Sequence, residues 1–325
     1  MIKSLLFCTA LLAAGTSVAV ASDYPSRPVR LIVNFPPAGP LDLEARAIAQ
    51  HAGKILGQTI VVENRSGASG NIGAQSVAQA APDGYTLLMT LDTLMTVNPY
   101  IFKGLDKDVT QRLEPLSLAG SFGLALAVRS ELGVGTLDEF LRYAKTHRIT
   151  YASAGYGSPG NLAFEKLRLA ATIDAAHVPY RGNAPAVNAL LGDQIQAAFL
   201  ATPGVLPHVR AGKLKALAVS GKDRDPDLPE VPTAAQSGVA GLKGYDVSFA
   251  FLVMAPKGTP PAIAKVWEDT LAKVYAMPEF QQSMALLGMH GPFAGKAQAQ
   301  EWVDREAKGW KEVIAKAGIR GGVAL

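Results

Sequence analysis

Cysteine and long apolar runs are almost absent from this sequence. Its single cysteine, Cys8, lies near the N-terminus, so no disulfide can join two parts of the chain. A chain of 325 residues buries enough apolar surface to fold without disulfides. Beyond the N-terminal segment, no apolar stretch reaches the roughly 20 residues that a membrane-spanning helix needs. We therefore expect a globular protein that is not embedded in a membrane.

Clustered charge is absent as well. The chain has 31 Lys and Arg against 27 Asp and Glu, a net charge of +4, and the basic residues are dispersed. Nucleic-acid binding would require a basic cluster or stripe, so no nucleic-acid partner is expected. A small positive excess does favour the approach of small anions.

Catalytic and metal-binding patterns are also missing. The five histidines are scattered without metal-ligand spacing: His51, His147, His177, His208 and His290. There is no G-x-S-x-G motif, no cysteine nucleophile and no evident carboxylate pair. The sequence therefore predicts neither an enzyme nor a protein that carries a metal or cofactor.

The N-terminal segment has the features of a cleaved signal peptide. Lys3 precedes the apolar run LLFCTALLAAGTSVAV, and the residues at 19–21 fit the small-x-small cleavage rule. A transmembrane anchor is the alternative, but Thr, Gly and Ser dilute the run. Phe7 before Cys8 also disfavours a lipid anchor. We predict that residues 1–21 direct export and are removed.

Apolar runs alternate with helical patterns along the rest of the chain. Strands are predicted at 29–33, 59–63 and 85–90, with helices at 41–56 and 70–81 between them. This order predicts a parallel sheet with right-handed crossovers. A second series of strands and helices runs from 136 to 220. Three helical patterns end the chain and carry Trp267, Trp302 and Trp310, which we interpret as packing residues.

Two long mixed runs, at 116–129 and 245–256, are suited to cross between two sheets. If both cross, the chain forms two lobes, each a mainly parallel sheet flanked by helices. Lobe 1 then holds residues 22–122 and 249–325, and lobe 2 holds residues 123–248. Two crossing strands between two lobes predict a hinged cleft.

The stretch NFPPAGPLDLEAR, at 34–46, joins the first strand to the first helix. Ligands of such sheets bind beyond the carboxyl ends of strands, where helix N-termini offer free N–H groups and partial positive charge. Phe35 fits either an apolar wall of the cleft or ordinary core packing. Asp42 fits either a helix cap or a direct ligand contact. The candidate ligand-binding residues here are Phe35, Pro37, Ala38, Gly39, Pro40, Leu41 and Asp42.

The corresponding loop of lobe 2 lies in ITYASAGYGSPGNLAF. Gly155-x-Gly157-x-x-Gly160 matches the dinucleotide fingerprint, but the acidic residue expected about 20 positions later is missing. A simpler interpretation, which requires no acidic residue, is that the amides of Gly157 and Ser158 and the Ser158 hydroxyl bind a small anion. A tight turn that needs positive φ remains the plain alternative.

Three further loops follow strands. Arg181 fits a bidentate pair with a carboxylate, or a solvated arginine at a helix start. Thr90 and Asp92, in TLDT, are predicted to face the cleft. GASGNIG, at 67–73, lacks the Lys and Ser/Thr of a phosphate-binding loop, so we interpret it as a glycine-rich turn.

Several blocks resemble the Bug-type extracytoplasmic solute-binding proteins, which serve tripartite tricarboxylate transporters. In order along nearly the whole chain, they are YPSRPVRLIVNFPPAG, GQTIVVENRSGASGNIGAQSVAQAAPDGYTLLM, YASAGYGS, VPYRGNAPAVNALLGDQIQ, GKLKALAVS and LPEVPT. The resemblance implies a two-lobe periplasmic binding protein, type II-like, that closes as a monomer on a small organic acid. The loop at 35–42 would hold the carboxylate, often through water, and Gly157 and Ser158 would lie opposite.

The sequence departs from this family at three positions. Ala38 replaces the usual glycine, and Leu41 replaces the usual Ser or Thr before Asp42, with Pro40 ahead of it. Pro40 lacks an N–H donor and Leu41 lacks a hydroxyl. We therefore expect an aromatic or aliphatic acid rather than a small polycarboxylate.

The resemblance favours a receptor that delivers its acid to the membrane subunits of a transporter. A signalling receptor that docks on a membrane sensor is an alternative, because the same chain could serve either partner. A dinucleotide-dependent enzyme built on the Gly155 loop is a weaker one, because an exported chain does not suit it.

Overall fold

A computed structural model describes residues 24–102 and 108–320. The predicted signal peptide, residues 1–21, lies outside these ranges. The strands are β1 Val29–Val33, β2 Ile60–Asn64, β3 Thr86–Leu91, β4 Leu113–Phe122, β5 Ala125–Arg129, β6 Ile149–Ser153, β7 Ala175–Pro179, β8 Ala197–Leu200, β9 Leu214–Val219, β10 Phe249–Pro256 and β11 Phe293–Gly295.

The helices of the described ranges include three short single-turn segments and several longer ones. They are α1 Pro40–Leu56, α2 Asn71–Ala78, α3 Thr93–Thr96, α4 Asn98–Ile101, α5 Asp108–Gln111, α6 Leu137–Thr146, α7 Pro159–Ala171, α8 Asn183–Leu191, α9 Thr202–Arg210, α10 Pro261–Tyr275, α11 Pro278–Leu286 and α12 Lys296–Ala317. Short 3₁₀ turns lie at Ala68–Gly70, Ser130–Leu132, Ala234–Ser237 and Ala240–Leu242. None of the helices in the described ranges combines the length and apolar composition needed to cross a bilayer.

The strands form two sheets, which confirms the predicted α/β architecture with two lobes. Lobe 1 contains a six-stranded sheet in the order β11-β4-β10-β3-β1-β2, and lobe 2 a five-stranded sheet in the order β7-β6-β8-β5-β9. The chain passes from the first sheet to the second between β4 and β5, and returns before β10.

Both sheets are mixed, whereas the sequence predicted mainly parallel ones. In lobe 1, β1 pairs in parallel with β2 and β3, but β10 pairs antiparallel with β3 and β4. In lobe 2, β6 pairs in parallel with β7 and β8, while β5 is antiparallel to β8 and β9. The antiparallel pairs involve the strands next to the crossings, which enter each sheet from the opposite lobe and so run against the strands of the βαβ units.

The central strands are buried on both faces, which explains their continuous apolar sequence. Leu31 and Val33 of β1 belong to one apolar cluster, and Ile32 between them belongs to another on the opposite face. The three tryptophans pack as predicted. Trp267 and Trp310 are buried, and Trp302 packs against the second cluster.

Helix α1, which starts at the candidate loop, carries a buried glutamate. Glu44 is completely buried, and the Tyr275 hydroxyl of α10 donates a hydrogen bond to its Oε1. Burial raises the pKa of Glu44 from 4.5 to about 8, and the bond from Tyr275 offsets only part of this. At neutral pH the native side chain is therefore protonated.

We predict that Glu44 makes the protein less stable as the pH rises. The unfolded chain loses this proton near pH 4.5 and the native protein only near pH 8, so the native state binds more protons between these values. The free energy of unfolding should fall across this window by roughly 1 to 4 kcal/mol. Tm measured at pH 5 and at pH 8 should drop clearly less in Glu44→Gln than in the wild type. Glu131→Gln, at an exposed position, is the matched control, and equal drops in the wild type and Glu44→Gln would contradict the prediction.

Candidate functional site

A cavity of about 770 Å³ lies between the two lobes. Its walls come mainly from loops that follow the carboxyl ends of strands in both sheets, where helices begin. In chain order these loops contribute Phe35 after β1, Ser69 after β2, Thr93 after β3, Gly155 after β6, Arg181 after β7 and Ala201 after β8. Both lobes therefore aim helix N-termini at one cavity.

The lobe 1 loop is held by a hydrogen bond that the residue before the helix cap donates to a side chain in the first turn of the helix. Ala38 has a left-handed backbone, φ 65°, and its amide donates to Asp42 Oδ2 at 2.9 Å. Gly39 is the N-cap of α1 and Pro40 its first residue. Pro40 suits this position because a first-turn N–H has no partner within the helix. The bond fixes the path on which Gly39 and Pro40 line the cavity.

Asp42 acts within the protein rather than at the cavity wall. Its buried carboxylate also accepts hydrogen bonds from Arg46 Nε at 3.0 Å and Asn64 Nδ2 at 2.8 Å. Burial alone would raise the pKa of Asp42, but the bonds from Arg46, Ala38 and Asn64 outweigh it and hold the pKa below its usual value. Asp42 thus stays ionised and stabilises the loop, and neither Asp42 nor Ala38 lines the cavity.

The lobe 2 loop repeats this geometry. Gly157 is left-handed, φ 71°, and its amide donates to Asn161 Oδ1 at 2.9 Å. Ser158 is the N-cap of α7 and Pro159 its first residue. AGPLD at 38–42 and GSPGN at 157–161 are therefore the same local structure, one from each lobe. Sequence reasoning missed Asn161. The available signal was the matching spacing of the two loops, in which a proline lies two residues before Asp42 and two residues before Asn161.

A buried network supports this second loop. Asn161 Nδ2 donates to the Tyr151 hydroxyl at 2.8 Å, and that hydroxyl donates to Glu165 Oε1 at 2.7 Å. The Ser158 hydroxyl donates to the Gly155 carbonyl at 2.7 Å, and the Ser158 amide bonds the same carbonyl. The predicted donors of Gly157 and Ser158 are thus engaged within the protein. The first-turn amides of α1 and α7, which lack intrahelical partners, are the backbone donors left to contact a ligand.

Arg181 supplies the charge of the cavity wall. It is exposed, and among the described residues it has no ion pair or side-chain hydrogen bond. No other charged side chain is found among the described residues that line the cavity. Gly182 and Asn183, at the start of α8, line the wall beside it. The cavity therefore offers positive potential without a carboxylate to oppose an anion.

Most of the remaining wall is apolar. Phe122 and Phe251, on the adjacent strands β4 and β10, have ring centroids 5.4 Å apart. Phe35 lines the cavity and also packs against the core, so both interpretations of this residue apply. The other apolar lining residues include Leu41, Leu91, Phe102, Leu124, Tyr156, Leu287 and Met289. Sequence reasoning missed most of them, because they follow no loop motif.

Two predicted cleft residues, Thr90 and Asp92, are placed elsewhere. Thr90 is completely buried, accepts a hydrogen bond from Asn34 Nδ2 at 2.9 Å and donates to the Leu91 carbonyl. Asp92 is also buried and accepts from Trp302 Nε1 at 2.7 Å, and burial raises its pKa to about 7. Their neighbours Leu91 and Thr93 line the cavity instead. Side chains alternate along a strand, so an error of one position reverses the face.

The glycine-rich turn after β2 also reaches the cavity. Ala68 and Ser69 both have left-handed backbones, φ 47° and 53°, and both line the wall. Asn98 Nδ2 donates to the Ser69 carbonyl at 3.0 Å and lines the wall beside it. The turn interpretation describes the backbone correctly, but no feature of the sequence indicated that this turn would lie at the site.

In the Gly155-x-Gly157-x-x-Gly160 loop, Gly160 serves packing. A Cβ on Gly160 would meet the Phe199 carbonyl oxygen of β8 at 2.4 Å. Gly157 provides the left-handed residue before the cap. Close approach and positive φ account for both glycines without a dinucleotide.

Comparisons with known proteins agree on one family. Residues 44–319 match the model of the tripartite tricarboxylate transporter family receptor, TctC. The chain is 33% identical to protein BugT of Bordetella pertussis over 311 residues, covering 94% of each chain.

Among solved structures, R. palustris Rpa4515 with adipate is 30% identical with a TM-score of 0.81, covering 92% of this chain and 100% of that one. MatC from Rhodopseudomonas palustris with bound malate is 28% identical with a TM-score of 0.74, covering 90% of this chain and 100% of that one. The chain belongs to the TctC family of periplasmic solute-binding receptors, the Bug-type proteins that its sequence resembles.

Proposed function

We propose that this protein captures an organic acid with an apolar body in the interlobe cavity and delivers it to the membrane subunits of a tripartite tricarboxylate-type transporter. The observation that carries this proposal is the composition of the cavity wall. Helix N-termini from both lobes and Arg181 line one part of the wall, no acidic side chain is found among the described residues that line it, and aromatic rings line much of the rest. A carboxylate fits the first set of groups, and an aromatic or aliphatic body fits the second.

The structural neighbours support a carboxylic acid as the ligand. One of these structures is a complex with adipate and the other has bound malate. The wall of Phe35, Phe122 and Phe251 favours an acid with substantial apolar surface over a compact tricarboxylate, because unpaired carboxylates against these rings would lose hydration without compensation.

We further propose a hinge where the chain crosses between the lobes. Ser220 Oγ accepts from the Leu124 amide at 2.9 Å and donates to the Val247 carbonyl at 2.7 Å, so one side chain joins both crossings. This supports the lobe bounds 22–122 with 249–325, and 123–248. Closure around a ligand is a population shift toward the state in which both lobes contact it. We propose that the protein acts as a monomer in the periplasm after removal of residues 1–21.

A melting panel tests the proposed ligand class. A ligand at about 100 times its Kd stabilises the native state by about 2.7 kcal/mol, which raises Tm measurably. Benzoate, longer aromatic acids, adipate and citrate should be compared, with benzamide and adipamide as matched uncharged controls. We expect apolar acids to raise Tm more than citrate and the amides not to raise it. A rise with a sugar or metal ion but with no acid would contradict the proposal.

Gly39→Val should remove ligand binding without harming the fold. A Cβ at Gly39 would meet no atom closer than the Pro36 carbonyl oxygen at 3.8 Å, and Gly39 lines the cavity, so the valine would occupy ligand space. We expect at least a tenfold loss of affinity by calorimetry and a nearly unchanged Tm. Gly157→Val is a poorer test, because its φ of +71° and the Ile101 side chain would strain the fold.

Gly204→Val, at an open position of α9 outside the cavity wall, is the matched control for Gly39→Val. Full affinity in Gly39→Val would show that the lobe 1 loop does not contact the ligand.

Arg181→Gln should weaken the binding of acids roughly tenfold to a hundredfold. A hydrogen bond to a charged group is worth about 1.5 to 3 kcal/mol, and about 1.4 kcal/mol corresponds to a factor of ten. Tm without ligand should not change, because the described structure gives Arg181 no ion pair to lose. Arg210→Gln, an exposed arginine outside the wall, is the control. Unchanged affinity in Arg181→Gln would mean that helix amides alone hold the carboxylate.

A further inference from the structure

The segment at 287–290, here called the strap, belongs to lobe 1, lines the cavity and contacts lobe 2. It leaves α11 through a fixed C-terminal motif: the Gly288 amide donates to the Ala285 carbonyl at 2.9 Å and the Met289 amide to the Met284 carbonyl at 3.0 Å. Beyond the strap, the Gly291 amide donates to the Ser121 carbonyl of β4 at 3.0 Å. Both ends of the strap are therefore anchored in lobe 1.

The inner side of the strap forms part of the cavity wall. Leu287 and Met289 both line the cavity, and Met289 is 6% exposed. His290, the next residue, does not line it and is exposed. Two side chains of the strap thus line the cavity, and a third, that of His290, is left to contact another part of the protein.

The strap meets lobe 2 at two points. A Cβ on Gly288 would lie 2.8 Å from Pro203 Cδ, so the strap backbone lies directly on the start of α9. His290 Nε2 lies 3.3 Å from Asp227 Oδ2 and 3.7 Å from Asp225 Oδ1. The Nε2–H can donate to Asp227 from the protonated imidazole or from the neutral tautomer that carries its proton on Nε2.

One of the two carboxylates, that of Asp225, is itself held in place. Thr202 Oγ1, in the first turn of α9, donates to Asp225 Oδ2 at 2.5 Å. The Asp227 amide donates to Asp225 Oδ1 at 2.9 Å, which keeps the two residues side by side. His290 therefore reaches a carboxylate pair beside the lobe 2 wall of the cavity, where Ala201 precedes the same helix.

We infer that His290 is a positioning residue for ligand retention. Its contact with Asp227 and Asp225 holds the strap against lobe 2 and keeps Leu287 and Met289 on the ligand. Opening the lobes to release the ligand breaks this contact, so it slows dissociation although His290 does not touch the ligand. This inference rests on the proposed function, because it concerns retention of the proposed ligand.

Stopped-flow binding of the strongest acid from the melting panel tests the inference. We expect His290→Ala to raise the dissociation rate roughly twofold to fivefold, the range that a partly exposed contact worth up to about 1 kcal/mol supports, with a smaller change in the association rate. Tm without ligand should fall by no more than a few degrees, because the lost contact is worth at most about 1 kcal/mol. His290→Gln keeps an N–H donor and should restore part of the retention.

Two further variants define the contact. Asp227→Asn combined with His290→Ala should increase the dissociation rate no more than His290→Ala alone, because both changes break one contact. His208→Ala, in the last turn of α9 and outside the cavity wall, should leave both rates unchanged.

A ligand-free arm separates this inference from the proposed function. Small-angle scattering should give a larger radius of gyration for His290→Ala than for the wild type, since the contact also restrains the empty lobes. If no acid binds the wild type, the proposed function fails and this arm still tests the strap. Equal dissociation rates and equal scattering in the two proteins would overturn the strap inference alone. If Zn²⁺ slows dissociation from the wild type but not from His290→Ala, the cluster is a cation site and the direct contact is overturned.

Discussion

The site depends on one hydrogen bond made twice. In each lobe, the side chain at the third residue of a helix accepts the amide of the residue before the helix cap: Asp42 accepts from Ala38, and Asn161 from Gly157. The bond holds a left-handed residue whose conformation would otherwise be unfavourable for Ala38, by roughly 1 to 2 kcal/mol. It also fixes where the cap and the first helical turn lie. The free amides of both helices are therefore oriented before a ligand arrives, which lowers the entropy lost on binding.

The positive character of the cavity follows from this backbone arrangement more than from charged side chains. Helix N-termini carry about half a positive charge each, and these loops bring such termini from both lobes to one wall. Arg181 is the charged side chain among the described lining residues. The helix dipoles are held by the backbone, so they can stabilise a carboxylate without any reorganisation of the protein. The aromatic surface around them can then take an apolar body without leaving buried charge unpaired.

Much of the fold was predictable because its strands and helices follow simple periods. The strand at 29–33 was predicted with the bounds that the structure has, and the strands at 59–63 and 85–90 lie within one residue of β2 and β3. The mixed pairing was not, since periodicity describes a strand's burial but not the direction from which it enters a sheet. At the site, the loops beyond β1 and β6 were identified from proline, glycine and the helix start that follows.

The faces of side chains and the long-range partners were beyond the sequence. Thr90 and Asp92 were predicted to face the cleft, yet β3 extends to Leu91 and both side chains are buried. The role of the strap could not be predicted from the sequence for another reason. Leu287, Met289 and His290 matter through contacts with residues far away in the chain, and a single sequence carries no record of those contacts.

The similarity of the two loops indicates which departure from the family bears on the ligand. Pro40 removes an N–H donor, which suggested a loss at the ligand. However, Pro159 occupies the same helical position in lobe 2, and proline there is explained by the helix start itself. The counterpart of Leu41 is Gly160, which packs against Phe199 and adds no side chain to the cavity. Leu41 therefore adds apolar surface from lobe 1 alone, and the proposed preference for an apolar acid rests on this side chain and the phenylalanine wall rather than on a missing amide.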